Sequence, residues 1–290
     1  MTNSAKLRSR AGAEAQRLPP LLARAQHLAS GIILGAHGRR RAGSGDEFWQ
    51  FRPAHSGDPA HRIDWRRSAR FDAHYIRETE WQAAQSVFFW CDRSQGMQFA
   101  SAHELDTKAD RSAILTLALA DLLMRGGERV GLLAPNLPAR NGEFQLAHMA
   151  NQLDGLSETD FGVPQTTAIP ARAHAVFFSD FLGDMDQITG ALQHAVDAGV
   201  KGVLVQVLDP QEEEFPFRGR TIFETRGRSV TFETRKASAL RDRYLVRLAE
   251  RKDALELITR RAGWRYICHH TDQSAQKALL WLFGAMEHAS

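Results

Sequence analysis

The sequence predicts a doubly wound α/β fold with a mostly parallel sheet, joined to a small β-rich accessory region. Three observations predict it. From Ser86 onward, uninterrupted apolar runs alternate with helical stretches, as expected of strands covered on both faces. Several of these runs end in polar residues: Asp92, Ser179-Asp180 and Asp209. Ahead of them, residues 43–77 have a different composition, mixing tryptophan, arginine and carboxylates around turn signals.

Each element follows in order. Pro19-Pro20 opens an apolar stretch over 21–28 that reads as a short helix with proline in its first turn. Residues 74–80 alternate weakly and read as an exposed or edge strand. Val87-Phe88-Phe89-Trp90-Cys91 is the first buried strand, and residues 104–125 form an Ala/Leu-rich helix stopped by Gly126-Gly127. Strands over 130–133, 175–178, 203–208 and 264–268 alternate with helices over 148–156, 184–198, a long one from Leu240, and 274–287. Residues 215–225 and 229–234 break the rhythm and read as a hairpin. The expected organisation is a basic arm and short helix over 1–38, the accessory segment over 39–84, and the α/β domain over 85–290 with a hairpin insertion near 211–235.

Composition bounds the function. The 290 residues carry a net charge of +3 and are 43% hydrophobic, which excludes wholesale disorder. No apolar run reaches the ~18–20 residues that cross a bilayer, and residues 1–16 lack the apolar core of a secretory leader, so a cytoplasmic location is expected. Cys91 and Cys268 then read as reduced thiols. Residues 1–41 sum to +7 and the remainder to −4. Such an arm suits nucleic acid or an acidic partner, but no aromatics interleave as base-stacking platforms; a solvated tail is the plainer reading.

In an open α/β sheet, ligands collect beyond the carboxyl ends of the strands. Asp92 and Ser94, two residues apart on one turn, suit a hard cation such as magnesium, with Asp180 nearby; the same pair equally suits capping of the next helix. Asp209 stands at another strand end. His269-His270 follows a strand, with no Cys or carboxylate joined at metal-ligand spacing, and reads as a pair of ordinary histidines. No Walker loop, His-Glu-x-x-His or nucleophile elbow occurs, and no nucleophile, base and orienting group assemble from sequence, so a non-enzymatic protein is expected.

Two stretches carry a family resemblance. Gly43-Ser44-Gly45-Asp46-Glu47-Phe48, Arg52, Gly57-Asp58, Arg62-Ile63-Asp64-Trp65 and Ser68-Ala69-Arg70 resemble the signature of the bacterial domain-of-unknown-function family 58; so does the segment from Leu208-Asp209-Pro210 to Gly219. The resemblance implies a von Willebrand factor A-like domain with a metal-ion-dependent adhesion site of the form Asp-x-Ser-x-Ser. Asp92, Ser94 and Asp180 match that site, while Gly96 replaces its second serine and the threonine is open among Thr159, Thr166 and Thr167. A degenerate site binding magnesium weakly or not at all follows, and Gly96→Ser should restore affinity. Read from the residues alone, the signature positions Gly57, Asp58, Arg62, Asp64, Trp65 and Arg70 are structural: Trp65 and Phe48 bury area while the charges pair.

The resemblance further implies a protein-interaction module, an accessory partner of a MoxR-type AAA+ ATPase acting on client proteins, with Asp92, Ser94, Asp180 and Asp209 as the docking face. The alternatives are a magnesium-dependent hydrolase using Asp92 and Asp180, and nucleic-acid binding through the arm.

Overall fold

A computed structural model describes residues 20–32, 42–55, 58–59, 63–70, 74–80, 85–224, 231–234 and 236–289. Along the chain run α1 (Pro20–Ser30), β1 (Ala42–Pro53), α2 (Trp65–Ser68), β2 (Tyr75–Glu80), β3 (Ser86–Cys91), α3 (Lys108–Arg125), β4 (Arg129–Leu132) and β5 (Leu137–Arg140). Then follow α4 (Glu143–Leu153), β6 (His174–Ser179), α5 (Met185–Asp197), β7 (Lys201–Leu208) and α6 (Pro210–Glu214). The chain continues with β8 (Thr221–Glu224), β9 (Thr231–Thr234), α7 (Arg241–Arg261), β10 (Arg265–His270) and α8 (Ala275–Ala289). It divides into two compact units, residues 35–84 and residues 1–34 with 85–290.

The larger unit is built on a six-stranded sheet ordered β10-β7-β6-β3-β4-β5, parallel except for β5. The apolar runs form its five parallel strands. Alternation then sorts their side chains. Val87, Phe89, Cys91, Val176 and Phe178 join the core under α1, α3, α4 and α8; Phe88, Trp90, Ala175 and Phe177 join the core under α5 and α7. Helix α3 is buried through most of its length, as a helix apolar all round must be. Helix α1 packs Leu22, Ala25 and Ala29 into the same core, so it belongs to this unit.

Strand β5 was not legible in the sequence. Its Pro138 interrupts the apolar pattern, and proline is tolerated there because β5 is an antiparallel edge. The β8–β9 hairpin forms a separate two-stranded sheet, and residues 225–230 between its strands lie outside the described residues. So do Gly57, Arg62 and the basic residues Lys6, Arg8, Arg10, Arg17, Arg39, Arg40 and Arg41.

In the smaller unit, β1 and β2 pair antiparallel. The Arg52 guanidinium grips both oxygens of Asp58, at 2.7 and 2.8 Å, and the His55 N–H adds a third donor. These donors hold the Asp58 carboxyl well below the usual carboxylate range. Among the described residues, which leave out Arg62, no arginine side chain pairs with Asp64. Asp64 caps α2, accepting from the Arg67 N–H at 2.9 Å. Nor is Trp65 buried: it is 58% exposed, with its ring edge-on to His74, while Arg67 lies 4.2 Å over the Phe51 ring. Arg70 is exposed.

Candidate functional site

Strands β4 and β6 lie on opposite sides of β3, so the chain's connections diverge at the carboxyl ends of β3 and β6. That divergence opens the crevice in which open α/β sheets place ligands. Asp92 leaves β3 and Ser179-Asp180 ends β6, so the sheet brings together residues 87 positions apart. Asp92 accepts from the Ser94 N–H at 2.9 Å through one oxygen and from the Ser179 hydroxyl at 2.7 Å through the other. The Asp180 carboxylate accepts from the Leu182 N–H at 3.0 Å. Its other oxygen faces a residue that sequence reasoning did not single out.

That residue is Lys108. It opens α3, directly after Thr107, whose side chain caps the helix. Its Nζ lies 2.8 Å from Asp180 Oδ2 and 2.6 Å from Glu212 Oε1, and the residue is only 1% exposed. Burial and the positive end of the helix dipole both work against an ammonium there. The Asp180 and Glu212 charges outweigh them, raising Lys108 above the ordinary lysine value. Burial in turn pushes the Glu212 carboxyl upward, against the pull of Lys108. Glu212 and Asp209 form a capping box on α6: Glu212 accepts from the Asp209 N–H at 2.9 Å, and Asp209 accepts from the N–H groups of Gln211 and Ser101. Gln206 reaches the Asp180 carbonyl at 2.8 Å.

A segment from the α4–β6 connection covers the crevice. Ser157, Thr159 and Asp160 pair through their backbones with Arg93, Gln95 and Gly96. This cover explains the glycine at position 96: a Cβ there would lie 2.9 Å from the Asp160 carbonyl oxygen. Gly162 is tighter still, since a Cβ would stand 2.3 Å from Asp92 Oδ1. Burial, then the Asp180 charge, push the Asp92 carboxyl above its ordinary value, while Ser179 and Ser94 pull it back.

Asp92, Ser94, Asp180 and Asp209 are therefore all buried, and none faces a partner across the surface. For Asp92 the reason is the covering segment, whose path the sequence does not reveal; Asp209 is instead held by the N–H groups of Ser101 and Gln211. The set also fits a magnesium ion poorly. Both oxygens of Asp92 and of Asp180 already accept hydrogen bonds, Gly96 supplies no side-chain oxygen, and an ammonium sits on Asp180. Of the three threonines, Thr159 and Thr167 are exposed and Thr166 is buried. The surface near the crevice carries apolar side chains: Leu156, Phe161 against Gly183, and Phe99, whose carbonyl accepts from the Lys108 N–H.

A sequence model of the family described as Protein of unknown function DUF58 matches residues 50–254. An uncharacterized protein of Mycobacterium tuberculosis is 25% identical over 258 residues, covering 84% of this chain and 80% of its own. An uncharacterized protein of Mycobacterium bovis matches with the same figures. Among solved structures, the chain is similar to the conserved hypothetical protein BatB from Bacteroides thetaiotaomicron, at 13% identity and a TM-score of 0.42, over 71% of this chain and 100% of that one. It is also similar to an aerotolerance-related membrane protein from Bacteroides fragilis, at 13% identity and 0.38, over 69% and 99%. Among the described residues, no helix is long and apolar enough to cross a membrane.

Proposed function

The chain belongs to the DUF58 family of proteins of unknown function, and on that premise we propose that it is a non-enzymatic protein-interaction module with a von Willebrand factor A-like domain. Supporting the fold reading are the strand order, the single antiparallel edge strand and the helices on both faces. One observation carries the functional reading. The crevice where a cation would bridge to a partner is closed from within by the Lys108 ammonium on Asp180 and Glu212. Docking is accordingly independent of metal and runs over the exposed Phe99, Leu156 and Phe161, which the buried polar set holds in place. A magnesium-dependent hydrolase on Asp92 and Asp180 is not favoured, since its ligand oxygens are engaged.

The partner in this reading is a MoxR-type AAA+ ATPase, with client proteins acted on by the pair. The test measures binding of the chain to the nucleotide-free ATPase from the same bacterium, with magnesium and with a chelator. Equal affinity in both is expected. Phe161→Ser should weaken binding by about tenfold or more, as truncation of a central interface side chain does, without lowering the melting temperature. No binding, or binding untouched by both Phe161→Ser and Leu156→Ser, would overturn the proposal.

A further inference from the structure

Among the described residues, one group of three metal-ligating side chains converges: Glu213, Cys268 and His270, whose ligand atoms all lie within 4.8 Å of one another. Cys268 and His270 stand two positions apart in the sequence, but the acid was not visible as their partner, because Glu213 arrives from 55 residues before Cys268. The sheet assembles it. Cys268 and His270 alternate onto the same face of β10, whose last residue pairs with Leu208 at the end of β7. Glu213 sits on α6, immediately beyond that neighbouring strand end.

We propose that Glu213, Cys268 and His270 form a binding site for a borderline-soft divalent cation, zinc above all, with the fourth position open to water or to a partner's ligand. A thiolate, an imidazole and a carboxylate are the three donor types zinc takes, and a mixed S/N/O set disfavours magnesium and calcium, which ask for oxygens alone. The site is lined for entry. Glu213 and His270 are both partly exposed, unlike the buried carboxylates of the strand-end crevice.

A lysine already stands in the group. Lys252, from α7, forms an ion pair with Glu213, which also accepts from His270. The comparison with Lys108 is instructive. Lys108 is sealed in at 1% side-chain exposure, whereas Lys252 keeps 21% and has water within reach. The Lys252 ammonium is thus an exchangeable occupant: when zinc binds, Lys252 swings to solvent and the Cys268 thiol gives up its proton. The inference does not depend on the docking reading.

The test titrates the full chain with zinc, using cobalt as a spectroscopic probe. One equivalent should bind, and the cobalt form should show a thiolate-to-metal charge-transfer band. Cys268→Ser should abolish that band. Cys268→Ser and His270→Gln should each weaken zinc binding by at least about 10–100-fold, the loss that even a change outside the ligand set produces. Lys252→Gln should strengthen binding, and Cys91→Ser should leave the band intact. Circular dichroism on each variant separates loss of a ligand from loss of the fold. Absence of zinc binding, a band that survives Cys268→Ser in a folded protein, or no gain from Lys252→Gln would overturn the proposal.

Discussion

The Lys108 ammonium lies 2.8 Å from the Asp180 carboxylate, joining residues 72 positions apart in a buried crevice. The pair links the first turn of α3 to the end of β6, and through Glu212 to the helix after β7. It fills the place where the chain's connections diverge, and so decides what that crevice holds.

Removing this ammonium should be costly. Lys108→Met leaves Asp180 and Glu212 facing each other without a cation, and breaking a buried pair on one side costs about 3–5 kcal/mol. Denaturant unfolding of the variant checks the value. The pH dependence has a definite sign. Since Lys108 is raised above the ordinary lysine value, its contribution is fully present at neutral pH and is lost only as pH climbs past the lysine range.

Gly96→Ser tests the cover over the crevice. The expectation from sequence was a gain in magnesium affinity. We expect no such gain, because the new Cβ would press on the Asp160 carbonyl oxygen at 2.9 Å. Overpacking of this kind costs about 1–3 kcal/mol. Calorimetry should find no new magnesium binding, and the unfolding midpoint should fall.

Asp92→Ala should also lower stability, contrary to a purely surface role. It strands the Ser179 hydroxyl and the Ser94 N–H, each a buried donor worth about 1–3 kcal/mol when unpaired. Asp92→Asn should cost less, and its cost should shrink with rising pH. The sign follows from a carboxyl held above its ordinary value: the folded state keeps the proton longer than the unfolded one, so wild-type stability falls as Asp92 ionises while the amide is unaffected. Parallel unfolding curves of both proteins from acid to neutral pH measure it.

Gly162→Ala should destabilise as well, by about 1–3 kcal/mol, since its Cβ would overlap the Asp92 carboxylate. The loss should be smaller in an Asp92→Ala background, where that carboxylate is gone. A double-mutant cycle gives the coupling, and additivity would show that the two residues do not press on each other.

The sequence by itself determined the sheet. Runs such as Val87-Phe88-Phe89-Trp90-Cys91 can be satisfied only between two layers of helices, so their burial and parallel pairing were legible from hydrophobic pattern alone. It also placed Asp92 and Asp180 at strand ends, and marked residues 43–77 as a region apart. Tertiary structure decided what those ends hold. Nothing local distinguishes Lys108 from a lysine at any helix start, or Glu212 and Glu213 from a solvated acidic run. Only the convergence of α3, β6 and α6 at the carboxyl end of the sheet sets an ammonium between two carboxylates, just as the pairing of β10 with β7 brings Glu213 to Cys268 and His270. Hydrophobic periodicity is written along the chain because each residue buries its own surface. A charge finds its partner across the chain, and that distance is set by the fold.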